Sequence, residues 1–271
     1  MALAEMREAE ASPEIAAIYA ALRKASGVPL VNLIYRHLAT LDGVLPWVWA
    51  AIRAPLLDGR LAAARERLAA AVSLPPLAPV PAAAWAAAGL SPADRDAIAA
   101  LVEVYNRGNL TNLILLTALR LALDDEAAAP AAAPARLSSP LPVTMLAAPP
   151  PLPRLDTLAP ATAALVQGLA ARHPGGVVPS LYLHLAHWPA LLAVLPDWAG
   201  SLIEPKALVG ARDAVLAPAA AEAAALGLVP PAPPPGPATA AAAAVIENFS
   251  QQVIPAMVPV GLGLRRMLAQ P

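Results

Sequence analysis

The stretch YNRGNLTNL, residues 105–113, sets Asn106, Asn109 and Asn112 three apart in a run that turns strongly apolar from Leu113 onward. Asparagine is a poor residue inside a helix, and a buried amide must find hydrogen-bond partners. Two readings stand side by side. Asn109 or Thr111 caps the helix carrying LILLTALRLAL, or Asn106 or Asn109 turns into a cleft and positions a water or a substrate carboxylate. Arg36 and Arg107 are the cations nearest these segments and could face such a carboxylate; otherwise each belongs to the surface. His184 and His187 stand three apart, a spacing that lets two imidazoles reach one metal. No carboxylate lies within ten residues upstream or eight downstream, and nothing completes a ligand set. Both are therefore read as structural, and His37 as a buried imidazole bonded to a carbonyl. Walker, GxGxxG, HExxH and GxSxG patterns are absent.

The elements that must hold these residues are helices. Val31, Ile34, Tyr35, Leu38 and Leu41 recur at spacings of three and four, with Pro29 in front and Pro46 behind. Leu181, His184, Leu185, Trp188 and Leu191 repeat the pattern, and Pro189 must kink or divide that helix. Residues 61–72, 93–105 and 109–123 are helical by period and propensity, and convincing alternating strands are missing. The chain is expected to be all-α.

The chain also repeats itself. Sliding by 150 positions sets Val28 on Val178, Pro29 on Pro179, His37 on His187 and Val44-Leu45-Pro46 on Val194-Leu195-Pro196. Residues 12–25 match 159–172 at an offset of 147, which places a gain of three residues before Val178. Residues 98–123 correspond loosely to 242–268, and proline clusters at 74–84 and 229–238 occupy equivalent places. The expectation is a tandem duplication of a unit of about 130 residues, a pseudo-twofold dimer in one chain: a first repeat at 1–127, a Pro/Ala-rich linker at 128–153 and a second repeat at 154–271. A pocket between the copies is the expected ligand site.

Composition narrows the partners. Among 271 residues the net charge is −1 and no basic block stands out, so no nucleic-acid footprint is expected. Cysteine is absent, which removes disulfides, thiolate metal sites and a cysteine nucleophile. The run 173–196 lacks Asp, Glu, Lys and Arg, but it holds three histidines and four prolines, which argues for a buried helix and no membrane partner. The acidic, polar N-terminus is unlike a signal peptide, and a cytoplasmic location is expected.

The 150-residue echo, YRHLA in the first copy, HLAHWP in the second and YNRGN between them resemble the group I 2-haloacid dehalogenases, the DehI family, over nearly the whole chain. The resemblance implies an all-α pseudo-dimer with its site between the repeats, hydrolysing 2-haloalkanoic acids of either configuration. It implies a second-repeat aspartate that activates water for direct displacement of halide, assisted by a first-repeat asparagine. Carried over, the asparagine falls on Asn106, with Asn109 one turn further. The substrate pocket would take Asn109, Val31, Asn32, Ser180, Leu181 and Tyr182. The aspartate falls at Ser180 or Leu181, and no acid occurs between Asp156 and Asp197. The base is left open among Asp42, Asp197, His184 and His187, or is lost. A 2-haloacid dehalogenase-like hydrolase, acting on a small carboxylic acid, is the function expected first. A relative that binds a small apolar ligand comes second, and a helical interaction scaffold third. No metal or cofactor is expected; a homodimer is.

Overall fold

The computed structural model describes residues 3–124, 143–234 and 236–269. Of the expected linker, residues 128–142 lie outside the described residues. Among the described residues every regular element is helical, and no helix is long and apolar enough to cross a membrane. The all-α expectation holds.

Caps and prolines cut the chain into its pieces. Ser12 accepts from the Ile15 amide ahead of α1, Pro13–Ser26, and Gly27 ends that helix at φ 67°. A Cβ at Gly27 would lie 2.5 Å from Val143 and 2.8 Å from the Thr144 carbonyl oxygen, so only glycine fits both the turn and the close approach. Next come α2, Leu33–Leu38, α3, Val44–Leu57, α4, Arg60–Ala71, α5, Ala82–Ala87, and α6, Pro92–Asp124. α2 is shorter than its apolar periodicity suggests. Asn32 takes the Ile34 amide at 3.2 Å and starts the helix there, leaving Pro29 in the preceding turn. α6 opens on a reciprocal cap, Ser91 Oγ accepting from the Asp94 amide and Asp94 from the Ser91 amide. It then runs unbroken through the asparagine stretch, so neither Asn109 nor Thr111 caps anything.

The second half supplies α7, Pro160–Ala170, α8, Ser180–Leu185, α9, Pro189–Trp198, α10, Gly200–Ile203, α11, Pro205–Leu226, α12, Pro237–Asn248, and α13, Ile254–Leu268. Pro189 does divide the helix, standing first in α9. A π turn at Phe249–Val253 joins α12 to α13 and takes up one extra residue within an otherwise continuous helix.

Register between the halves is set by helix starts. α1 and α7, α2 and α8, and the 3₁₀ turns Glu8–Glu10 and Leu155–Thr157 all begin 147 positions apart. At that spacing His37 falls on His184 and Tyr35 on Tyr182, whereas the 150-residue slide of the sequence sets His37 on His187. The spacing of 147 between helix starts thus persists as far as α8, beyond Val178, where the sequence slide sets the gain of three residues.

Two apolar cores result, and each draws on both halves. One joins α1–α4 and residues 110–119 of α6 to α12 and the C-terminal part of α11. The other joins α5 and residues 98–102 of α6 to α7–α10. α13 serves both, giving Ile254, Val258 and Leu262 to the first and Val260, Leu264 and Met267 to the second. The proline-rich arms cross over: the Val80 amide bonds to the Met267 carbonyl at 2.9 Å, and Trp47 Nε1 to the Pro231 carbonyl at 2.9 Å.

Candidate functional site

Three spaces with shared walls make one cleft. An inner cavity of about 240 Å³ lies between the N-terminal segment, α2 and the middle of α6. A narrow space of about 40 Å³ reaches under the start of α8 to the π turn, and an outer mouth of about 650 Å³ opens between residues 3–10 and 152–156. Leu33 and Ser180, each the first residue of its short helix, line all three. Glu5 and Leu152 face the outer mouth, as do Arg36 and Leu183. Both pairs keep the 147 spacing, so the first half contributes charge where the second contributes leucine.

The N-terminal segment is strapped onto α2. The Met6 amide donates to the Arg36 carbonyl at 2.9 Å, His37 Nδ1 to the Ala4 carbonyl at 2.7 Å, and the Tyr19 hydroxyl to the Met6 carbonyl at 2.9 Å. This brings Glu5 to the cleft wall, where it accepts from Arg36 Nε at 2.7 Å and Arg7 Nε at 3.1 Å. Glu8 pairs with Arg23. The lining charges balance, Arg7 and Arg36 against Glu5 and Glu8 in the inner cavity and Arg7, Arg36 and Arg154 against Glu5, Glu10 and Asp156 at the mouth, so an anion would have to be met by the guanidinium N–H groups locally and not by an excess of positive charge.

The asparagines part ways on α6. Asn106 Nδ2 donates to the Gly261 carbonyl on α13 at 3.0 Å, and the side chain does not line the cleft. Asn112 Oδ1 accepts from the Tyr35 hydroxyl at 2.8 Å. Asn109 lines the inner and narrow spaces, is only 7% exposed, and makes no side-chain hydrogen bond among the described residues. Among the described residues the buried Thr111 hydroxyl on the same wall has no partner either. A buried amide left open toward a cavity is a group waiting for a ligand or water.

The other expected site residues fall as follows. Val31, Asn32 and Ser180 line the inner cavity, while Leu181, wholly buried, lines the narrow space with Phe249, Val253 and Met257. Tyr182 lies outside all three spaces, its hydroxyl 2.6 Å from His173 Nε2. Arg107 holds the Gly27 and Thr144 carbonyls and does not face the cleft. Neither Asp42 nor Asp197 lines it. His187 is exposed and donates to the Pro151 carbonyl at 2.9 Å.

Glu5, Arg7, Glu8 and Tyr105 line the cleft without having been singled out in the sequence. Glu5 lay in a segment legible only as acidic, and the repeated Arg7/Arg154 at 147 was its available signal. Tyr105 lines the inner and narrow spaces, with its hydroxyl 2.6 Å from His184 Nδ1. Burial holds His184 down at about 4 and pushes the Tyr105 phenol up.

No family model matches the sequence, and no curated protein matches it. Solved structures do. A D-2-haloacid dehalogenase mutant in complex with D-2-CPA superposes at a TM-score of 0.84 and 18% identity, covering 98% of this chain and 96% of that one. A D-2-haloacid dehalogenase with L-LA superposes at 0.80, with the same identity and coverage. This chain has the fold of the D-2-haloacid dehalogenases. The resemblance read from YRHLA, HLAHWP and YNRGN is thus confirmed as a likeness of fold. In this chain α8 opens with Ser180 and Leu181, and the carboxylates that line the cleft come from the N-terminal segment and from Asp156.

Proposed function

We propose that the chain is a dehalogenase-like hydrolase acting on a small 2-substituted carboxylic acid, held in this cleft between repeats 1–127 and 154–271. The observation that carries the reading is the likeness of fold along nearly the whole chain to D-2-haloacid dehalogenases, two of whose structures hold D-2-CPA or L-LA. The cleft suits such a molecule in three ways. Arg36 and Arg7 supply guanidinium N–H groups for a carboxylate, Asn109 supplies a free amide, and Leu30, Val31, Leu33 and Val104 supply an apolar floor. The asparagine role passes from Asn106, whose amide is taken by Gly261, to Asn109.

Halide release from D- and L-2-chloropropionate and from bromoacetate tests the reading. Release from the unaltered protein, reduced at least about tenfold in Asn109→Ala through the lost positioning hydrogen bond, is the expected result. The same loss in Asn106→Ala with Asn109 intact would return the role to Asn106. A second reading, a binder of small apolar ligands, is favoured by one observation: wholly buried Leu181 stands at the start of α8. Calorimetric binding of these acids or of apolar probes without halide release would establish it.

A further inference from the structure

Tyr105, on α6, and His184, on α8, meet at the cleft wall with a 2.6 Å contact between the hydroxyl and Nδ1. On the far edge of the ring, His184 Nε2 lies 2.9 Å from the Pro150 carbonyl oxygen. A carbonyl oxygen can only accept, so Nε2 carries the proton and Nδ1 is the bare nitrogen receiving the Tyr105 O–H. Hydroxyl, imidazole and orienting oxygen stand in the order by which an imidazole withdraws a proton from a hydroxyl. The histidine is wholly buried, so only the tyrosine touches the cleft.

The geometry points to Tyr105 and His184 as the proton acceptor of the cleft, on the wall where α8 itself offers no carboxylate. This rests on the hydrolytic reading above. In the reacting complex the water oxygen bonds to C2 of the acid as the carbon–halogen pair leaves with the halide. The water proton passes to Tyr105 Oη while the Tyr105 proton passes to His184 Nδ1. The products are a 2-hydroxy acid, halide and an imidazolium that returns its proton to solvent. Tyr105 is the catalytic group, and His184 acts through it.

The groups facing the ring set its basicity. Burial lowers it first; His187 beyond α8 and Arg36 on α2 lower it further, and the Pro150 carbonyl supports the charged form. The outcome, about 4, is the ordinary range of an aspartate, so the ring is neutral at pH 7 with the base strength of a carboxylate. Because burial pushes the phenol up, the proton moves through the tyrosine without a standing phenolate.

The test compares halide release and propionate binding for the unaltered protein, Tyr105→Phe and His184→Gln. Glutamine keeps an N–H for Pro150 and an oxygen for Tyr105 but cannot take up the proton. The expected result is a fall in kcat of about 10²–10⁴ in both variants, with KM, propionate Kd and helical circular dichroism unchanged. Release returns in Tyr105→Phe/Ser180→Asp, which puts a carboxylate on the same wall. Undiminished release in either single variant overturns the pair's role and leaves the hydrolytic reading standing. A loss of propionate binding in step with kcat overturns it too, by showing a structural role. No release from the unaltered protein overturns the hydrolytic reading and this inference together.

Discussion

Asn106 and Asn109 are one turn apart on α6, and the helix alone decides which of them is free. Three residues turn a side chain to about 60° from its starting direction. That rotation carries one amide against Gly261 and the other into the cleft. The asparagine cluster was legible in the sequence; the assignment within it was not, because it depends on where α13 lies. The same holds for His184. Its type and spacing were visible, but its proton state follows from Tyr105 and Pro150, distant in the chain and adjacent in space. Its burial has a thermodynamic consequence. Below about pH 6.5 the unfolded chain protonates this imidazole, while the folded chain does not until about 4. Stability contributed by the neutral ring is therefore complete above pH 6.5 and falls by about 1.4 kcal/mol per pH unit as the pH drops through that window. His173, also held down at about 4 by burial, steepens the fall. Denaturant titrations between pH 7 and 5 should show the decline, and His184→Gln should make it shallower; an equal slope in the variant would contradict the assignment.

Among the elements, the short helices α2 and α8 teach the most. Sequence matching placed His37 on His187 because the Val-Leu-Pro runs that follow dominate an ungapped slide. The starts of α2 and α8, 147 positions apart, set His37 on His184 instead. Apolar periodicity identified the helices and their faces, and Pro189 marked the break before α9. It could not foresee that α6 would stay whole across three asparagines, because burial on nearly every side outweighs their poor helix propensity. The α6–α13 contact is close enough to test. A Cβ on Gly261 would stand 2.1 Å from Asn106 Oδ1. Gly261→Ala should therefore cost about 1–3 kcal/mol by overpacking, read as a lowered urea midpoint. Gly210→Ala, where a Cβ meets nothing within 4 Å, should be neutral or stabilising.

At the scale of the molecule, the all-α class was written in the periodicity, while the sharing of cores was not. Two repeats in sequence suggest two self-contained bodies, yet each core closes only with helices from the other half. Nothing in residues 74–84 or 229–238 announces that these arms cross over, because proline dictates an extended backbone and not its destination. Fragments 1–127 and 154–271, expressed separately, should lack cooperative unfolding, and mixing them should restore it. Independent cooperative melting of either fragment would show that the cores are separable after all. The crossing arms and the shared α13 also set a timetable. A chain made from its N-terminus emerges with Val80 and Trp85 long before Met267 exists to receive them, and Trp47 waits for Pro231. On the ribosome neither core can close until α13 has emerged, so the helix that both cores share sets the moment at which stability can begin.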